Sequence, residues 1–384
     1  MTQIYLDFNA STPLSPPVAE LMHQLIDSGY GNPSSTHWAA APARDAIDTA
    51  RQQVAALLGC DSHEIIFTSG GSESNNLALK GAFLARRDRN AVHIVTTCIE
   101  HPATLSPCRF LESMGARVTY LPVDKTGRVD PKDVRAALGP DTLLISVMHA
   151  NNEVGTIQPI AEISAIAREH GILMHTDAAQ SVGKLATRVD ELGVDLLSIA
   201  GHKIYAPKGI GALYIRRGTR IEPLIHGAGH EAGLRAGTES ALLIAALGKA
   251  CETVPSKSDL DRIERLRDLL WKGIKAAFHD RAVLNGHPRH RLPNTLNVGF
   301  KGHTGAGILA SLPGVAASTG SACHEDRIEI SPVLQAMGVP ADVAVGAVRF
   351  SLGRTTTKTE ITAVIEMLRP AAAADSSSAL TAPT

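Results

Sequence analysis

The chain has 384 residues, of which 44% are hydrophobic and 4% are aromatic. Its 37 lysines and arginines and 38 aspartates and glutamates leave a net charge of -1, which gives no electrostatic basis for binding nucleic acid or a membrane surface. A chain of this length exceeds one ordinary hydrophobic core, so two domains are expected.

Targeting, membrane and metal signals are missing from the sequence pattern. The stretch MTQIYLDFNASTPL lacks a basic region followed by an apolar one, and no window approaches the roughly 20 apolar residues of a spanning helix. The five cysteines are scattered without a C-x-x-C pair, which predicts neither a disulfide framework nor a thiolate metal site. We expect a cytoplasmic protein without a metal, whose partner is a small molecule or another protein.

Short β-rich runs alternate with helical patterns over the first two thirds of the chain. The predicted strands are 64–70, 91–97, 116–123, 142–149, 171–179, 194–201 and 211–217. The predicted helices between them are 72–87, 101–115, 131–139 and 160–171. This alternation predicts an α/β fold with a mostly parallel seven-stranded sheet and helices on both faces. Ligands of such sheets bind where loops leave the carboxyl ends of the strands.

The pattern changes near residue 255. A long amphipathic helix is predicted over 258–278, followed by strands at 294–300, 314–319 and 347–353. We therefore predict a large domain over 13–254 and a smaller α+β domain formed by 1–12 and 255–370. The small and polar residues of 371–384 predict a flexible tail.

Three features that could bind a ligand or take part in a reaction follow predicted strands. In FTSGGSES, Ser72 and the backbone N–H groups after Gly70 and Gly71 could hold an anion, although glycine turns before helices are common. Asp177 ends an apolar strand, where a carboxylate needs a cation or a strong donor; alternatively it caps a turn. Lys203 follows the next strand, where poor hydration would free its amine to attack a carbonyl, unless the side chain extends to the surface.

Together these features match the needs of pyridoxal phosphate, which are a phosphate site, a carboxylate at the pyridine nitrogen and a lysine for the aldehyde. The sequence beyond these features resembles the NifS/IscS-type cysteine desulfurases, of the class V branch of fold-type I pyridoxal-phosphate enzymes. The resemblance runs in order from residue 4 to about residue 368. It is carried by YLDFNASTPL, GNPSSTH, FTSGGSESNNLALKG, EHPA, MHANNEVGTIQPI, HTDAAQSVGK, GHKIYAPKGIGALYIRRG, HGAGHEAGLRAGT, LPNTLNVGF, STGSACHE and VRFSLGR.

The resemblance implies a role for individual residues. Lys203 would bind the cofactor aldehyde and remove the substrate α-proton, Asp177 would face the pyridine nitrogen, and Gln180 would donate to the phenolic oxygen. His101 would stack on the ring and act in catalysis. The phosphate would be held by Gly71, Ser72 and His202, and by Thr238 of a second subunit, which implies a homodimer with shared active sites. Asn152 and Arg349 would orient the substrate carboxylate.

Cys323, in ASTGSACHE, aligns with the nucleophilic cysteine of the family. Composition alone favours an inert buried thiol, whereas its glycine- and serine-rich surroundings favour exposure. The implied reaction converts L-cysteine to L-alanine and leaves a persulfide on Cys323, whose sulfur passes to an acceptor protein. Transfer of this kind predicts a flexible loop over 321–331.

Two departures keep a related activity open. Ala200 stands where many desulfurases have a hydroxyl side chain, and ACHEDRIEISPVL is also similar to selenocysteine lyases. Further alternatives are a non-catalytic sulfur carrier or scaffold of the same fold, and an aminotransferase for which Cys323 is dispensable. The sequence does not distinguish iron–sulfur cluster biogenesis, RNA thiolation or DNA modification as the pathway that receives the sulfur.

Overall fold

The structure, a computed structural model, describes residues 3–86, 92–319, 321–324 and 327–373; for 321–324 and 327–329 the description covers the backbone alone. The helices are α1 (Pro16–Ser28), α2 (Ala41–Leu58), α3 (Gly71–Leu84), α4 (Pro102–Ser113), α5 (Pro131–Ala137), α6 (Ile160–Glu169), α7 (Val189–Leu192), α8 (Ala241–Glu252), α9 (Lys257–Phe278), α10 (Gly305–Ala310), α11 (Pro332–Ala336), α12 (Ala341–Ala344) and α13 (Lys358–Ala373). Short 3₁₀ turns include Gly201–Lys203 and Glu231–Gly233.

The strands divide between a large sheet and smaller ones. They are β1 (Ile4–Tyr5), β2 (Ile65–Thr68), β3 (His93–Thr97), β4 (Arg117–Leu121), β5 (Thr142–Ser146), β6 (Leu173–Asp177), β7 (Leu196–Ala200), β8 (Gly211–Ile215), β9 (Ala282–Asn285), β10 (Thr295–Phe300), β11 (Val315–Ala316), β12 (Ser318–Thr319), β13 (Ser321–His324), β14 (Arg327–Ile330) and β15 (Ala347–Ser351).

The large sheet has the order β2-β8-β7-β6-β5-β3-β4 within the described residues. Strand β8 is antiparallel to both of its neighbours, and the other pairings are parallel. The predicted mostly parallel seven-stranded sheet is therefore confirmed. Apart from the partly exposed edge strand β4, its strands are buried along nearly all of their length because helices cover both faces, as parallel sheets require.

Alternate side chains of these strands enter different cores. Val95 and Leu197 pack with α2, α6 and α8 on one face, whereas Ile94 and Leu196 pack with α3 and α4 on the other. Helices α1, α2 and α8 were not among the predicted elements. In α8 the sequence ALLIAALGKACE is apolar nearly all round, so it carries little helical periodicity.

A second core lies between α9, α13 and the antiparallel sheet β12-β15-β10-β9. Helix α9 begins with a capping box, in which the Ser256 hydroxyl accepts from Asp259 N and the Asp259 carboxylate accepts from Ser256 N. Ile4 and Leu6 pack in this core, and β1 pairs with β11 in parallel. The division at residues 12/13 and 254/255 remains a prediction.

Two predicted irregular segments contain regular structure. Strands β13 and β14 pair in antiparallel register with Cys323 opposite Ile328, so the segment predicted as a loop over 321–331 is largely a hairpin in its described backbone. Helix α13 continues to Ala373, so residues 371–373 of the predicted tail are helical, and residues 374–384 lie outside the described part of the chain. Within the described residues, no helix is both long enough and apolar enough to cross a membrane.

Candidate active site

A cavity of about 350 Å³ lies at the carboxyl ends of β5, β6 and β7. It brings together nine of the predicted site residues. The ends of the sheet strands and the turns and helix starts that follow them supply Gly71, Ser72, His101, Asn152, Asp177, Gln180, His202 and Lys203, and β15 supplies Arg349. Residues far apart in sequence meet here because parallel strands deliver their following loops to one edge of the sheet.

Lys203 ends the 3₁₀ turn that follows β7. Its Nζ donates to the carbonyl oxygens of Asn9 and Ala10 at 2.7 and 2.8 Å. Burial, together with the nearby Arg349 guanidinium, lowers the pKa of the Lys203 amine to about 8, against the opposing effect of Asp7 and Asp177. The amine is therefore held in place and is easily deprotonated, which suits attack on a carbonyl.

Asp177 is the last residue of β6, and its carboxylate is almost fully buried. Asn75 Nδ2 donates to Oδ2 at 2.7 Å, and Ala179 N donates to Oδ1 at 2.9 Å. Each carboxylate oxygen therefore has a donor within the protein, which offsets part of the cost of burying a polar group. Asp177 thus presents to the cavity a carboxylate able to pair with a protonated ring nitrogen.

Gln180 and Asn9 connect the cavity to the N-terminal segment. Gln180 Nε2 donates to Asn9 O at 3.0 Å, so this carbonyl accepts from both Gln180 and Lys203. The Asn9 side chain donates to Thr295 Oγ1 at 2.8 Å and accepts from Asn294 Nδ2 at 3.0 Å. Because Asn9 is only 1% exposed and fully hydrogen-bonded, residues 9–10 form a rigid wall of the cavity.

The predicted anion site is the start of α3. Gly70 precedes the helix with a φ of 153°, a conformation that favours glycine. The first N–H groups of a helix have no intrahelical acceptor, so those of Gly71 and Ser72 are available to a phosphate. Glu73 in the same turn is paired with Arg235 at 3.0 Å, which offsets its repulsion of an anion.

Ala200 and His202 form the opposite side of this anion site. A side chain at Gly71 would bring its Cβ within 3.1 Å of the Ala200 Cβ, so glycine keeps the two elements in close contact. Ala200 contributes a methyl group to the lining of the cavity. Burial first, and then the nearby Lys203, lowers the pKa of His202 to about 4, so its imidazole is neutral at pH 7 and has one N–H to donate.

His101 is the N-cap of α4, and its Nδ1 accepts from Ala103 N at 3.0 Å. Desolvation of the ring lowers its pKa, with Lys203 acting in the same direction and Asp177 opposing. A neutral ring whose Nδ1 accepts carries its proton on Nε2. The cap therefore fixes both the position and the tautomer of a ring that lines the cavity.

Arg349 reaches the cavity from the antiparallel sheet. Its Nη2 is 2.7 Å from Asp7 Oδ1 and 3.0 Å from Ser318 Oγ, and its Nη1 donates to Asn152 O at 3.1 Å. Its Nε is buried and has no acceptor among the described residues. Arg349 is thus held by several contacts while retaining capacity to bind a carboxylate.

Of the predicted site residues whose side chains the structure describes, Thr238 does not line this cavity. Thr238 is exposed and follows a 3₁₀ turn in which Glu231 and Ala232 have φ values of 49° and 55°. The buried Glu231 carboxylate pairs with Arg51 at 2.6 Å. The side chain of Cys323 lies outside the part of the chain that the structure describes.

Asn9, Asn75 and Asp7 belong to the site although the pattern analysis assigned them no role. Asn75 follows Gly71 by four positions on α3, so helical spacing could have placed it on the same face. Asn9 and Asp7 have no such local signal, because their contacts are with residues more than a hundred positions away.

The residues present fit pyridoxal phosphate by their chemistry. The cavity offers a lysine amine of lowered pKa, a carboxylate that accepts a hydrogen bond from Asn75 and a glycine-led helix start for a phosphate. Asn75 Oδ1 is buried without a hydrogen-bond partner among the described residues, so the amide is oriented by Asp177 alone. Among those residues no group of three or more histidine, cysteine or acidic side chains is arranged to hold a metal ion.

The lowered pKa of Lys203 predicts how fast cofactor-free protein captures pyridoxal phosphate. Only the unprotonated amine attacks an aldehyde, so the rate is expected to rise about tenfold per pH unit below pH 8 and to level off above it. Stopped-flow absorbance across this range measures the rate, with N-α-acetyl-lysine as the reference amine. A protein rate that continues to rise to the ordinary lysine pKa of 10.5 would contradict the prediction.

Comparisons with known proteins agree over nearly the whole chain. The aminotransferase class-V family model matches residues 4–364. A cysteine desulfurase IscS of Dictyoglomus turgidum is 49% identical over 370 residues, which cover 95% of this chain and 93% of that protein. A solved NifS-like protein is 36% identical with a TM-score of 0.90, covering 96% of this chain and 99% of its own.

A further solved structure, described as SspA in complex with cysteine, is 40% identical with a TM-score of 0.82 and covers 93% of this chain and 100% of its own. Each of these three relatives thus matches more than nine tenths of the chain. The chain therefore belongs to the aminotransferase class-V family, within its IscS-type cysteine desulfurases.

Proposed function

We propose that this protein is a pyridoxal-phosphate-dependent cysteine desulfurase that converts L-cysteine to L-alanine and passes the sulfur through Cys323 to an acceptor. The observation that carries the proposal is the cavity in which the Lys203 amine, the Asp177 carboxylate and the Arg349 guanidinium converge. The IscS and SspA relatives support L-cysteine as the substrate.

Binding of the cofactor is assigned to the residues around the edge of the large sheet. Gly71, Ser72 and His202 hold the phosphate, and the His101 ring packs on the cofactor. Asp177, oriented by Asn75, keeps a proton on the ring nitrogen, and Gln180 donates to the phenolic oxygen. When bound, pyridoxal phosphate supplies an electron sink that stabilises the negative charge left by removal of the substrate α-proton.

Substrate binding and proton transfer are assigned to the remaining side chains. Arg349 and Asn152 orient the substrate carboxylate, and Asp7 with Ser318 keeps Arg349 in place. Lys203 Nζ removes the α-proton. Its hydrogen bonds to Asn9 O and Ala10 O hold the amine on one side of the cavity when it is not bonded to the cofactor.

Sulfur transfer is assigned to Cys323. Its thiolate attacks the sulfur of L-cysteine, a sulfur–sulfur bond forms and the substrate carbon–sulfur bond breaks. The electron pair of the broken bond stays with the carbon, which takes up one proton, equal to the one released when Cys323 ionised, and becomes the methyl group of alanine. Lys203 returns a proton to the α-carbon, so the protons balance. The products are L-alanine and a Cys323 persulfide, so no external oxidant or reductant is needed for this step.

The proposed assembly is inferred from the position of Thr238. We assign Thr238 to the active site of a second copy, because it is exposed and does not line the cavity of its own chain. The proposed assembly is a homodimer that delivers sulfur to a protein acceptor. The proposed compartment is the cytoplasm, since Cys60, Cys98, Cys108 and Cys251 are free thiols.

The test is alanine release by purified protein from L-cysteine and from L-selenocysteine at equal concentration with a thiol reductant. We expect alanine from L-cysteine at a rate that requires added pyridoxal phosphate when the protein has been stripped of it. Alanine from L-selenocysteine alone would make the protein a selenocysteine lyase. A colourless protein that releases no alanine from either substrate would instead support a non-catalytic sulfur carrier.

A further inference from the structure

A second lysine lies behind Gln180 in the same network. Lys184 Nζ donates to Gln180 Oε1 at 3.0 Å, while Gln180 Nε2 donates to Asn9 O at 3.0 Å. Asn9 O also accepts from Lys203 Nζ at 2.7 Å. The two lysines are therefore joined through the Gln180 amide and one backbone carbonyl.

The partners at the two ends of the amide decide which way it faces. The oxygen and nitrogen of a glutamine amide are nearly equal in size and exchange by a half-turn, so hydrogen bonds alone select the orientation. Asn9 O can only accept, which requires the Nε2 end. Lys184 Nζ donates to the other end, which requires Oε1.

Lys184 keeps donors available whether or not it is charged. Burial first, and then the nearby Lys203 and Arg349, lowers its pKa to about 7, but both the ammonium and the amine carry N–H groups. Its side chain lies beside the apolar Val182, Ile204 and Leu352. A donor in such surroundings is costly without an acceptor, and Gln180 Oε1 supplies one.

We propose that Lys184 is a positioning residue that holds the Gln180 amide with its N–H groups toward the cavity. This inference rests on the proposed function, in which Gln180 donates to the phenolic oxygen of pyridoxal phosphate. Loss of the Lys184 donor leaves Asn9 O as the remaining partner that selects the orientation of the amide. A larger fraction of the amides then turns and presents an oxygen to the phenolic oxygen, which weakens the binding of the cofactor.

A double-mutant cycle on cofactor affinity tests the inference. The dissociation constant of pyridoxal phosphate is measured by absorbance titration of cofactor-stripped protein for the wild type, Lys184→Met, Gln180→Ala and the double variant. Lys184→Met is expected to weaken binding about tenfold in the wild type and less than about twofold in the Gln180→Ala background. Equal losses in both backgrounds would show that Lys184 does not act through Gln180.

A conservative variant separates donation from packing. Met matches the volume of Lys better than Arg does, so a role limited to packing predicts that Lys184→Arg binds more weakly than Lys184→Met. The proposed role predicts the opposite order, because Arg retains N–H donors. Lys184→Arg also serves if Lys184→Met does not fold, since a tenfold loss in the folded Arg variant would overturn the inference.

The matched control is Lys249→Met on α8, where the lysine pairs with Glu252 at the surface. Its cofactor affinity is expected to equal that of the wild type. Failure of the wild type to bind pyridoxal phosphate would overturn the proposed function and this inference together. Additive effects in a protein that binds the cofactor and releases alanine from L-cysteine would overturn this inference alone.

Discussion

Replacing Lys203 with alanine is expected to lower the rate of alanine release from L-cysteine by about a thousandfold or more. The variant lacks the amine to which removal of the α-proton is assigned, and general base catalysis typically contributes a factor of about 10² to 10⁴ in rate. The same change removes the covalent anchor for the cofactor aldehyde. Alanine release under saturating pyridoxal phosphate measures the effect.

The matched control is Lys208→Ala, in the exposed turn five residues further along. It is expected to stay within about threefold of the wild-type rate, as surface substitutions usually have small effects. Added methylamine is expected to restore part of the Lys203→Ala activity, because it can act as a free amine base. A Lys203→Ala rate within about tenfold of the wild type would refute the assigned role.

Replacing Cys323 with alanine is expected to lower persulfide formation and alanine release from L-cysteine by about a hundredfold or more, while pyridoxal phosphate still binds. The reason is that the substrate sulfur then lacks a thiolate to receive it. Alanine release, cofactor absorbance and the protein mass after a single turnover measure the three properties. A gain of one sulfur atom by the wild type, absent from the variant, is the expected signature.

Cys60 and Cys98 provide matched controls. Burial raises the pKa of the Cys60 thiol to about 12, and burial also raises the pKa of Cys98. Both are therefore poor thiolates near pH 7, and Cys60→Ala and Cys98→Ala are expected to retain wild-type alanine release. Loss of activity in Cys60→Ala or Cys98→Ala, together with full activity in Cys323→Ala, would show that the nucleophile is not Cys323.

Much of the large sheet could be predicted because its signals are local. Apolar β-rich runs end in Asp177 or lead into the turn of Lys203, and glycines mark the turn before α3. Such patterns depend on neighbours within a few positions. Helix α8 was missed because it is apolar nearly all round and so lacks periodicity. Helix α2 was also missed, although its buried residues recur at helical spacing.

The segment around Cys323 shows the limit of composition as a guide. Small residues such as those of STGSACHE favour an irregular segment, but β13 and β14 pair in the described backbone. Strand pairing depends on a partner sequence that lies several residues away. Composition therefore predicted an exposed turn region without predicting the hairpin.

The sequence by itself determined the family, the mostly parallel sheet and the residues that follow its strands, because these depend on motifs and periodicity along the chain. The tertiary structure decided which groups orient the side chains of the site. Asn9 meets Lys203 and Gln180, Asn75 meets Asp177, and Asp7 meets Arg349 only after the sheets and the N-terminal segment have packed. Hydrogen bonds between residues so far apart leave no periodic trace, since their geometry exists only in the folded chain.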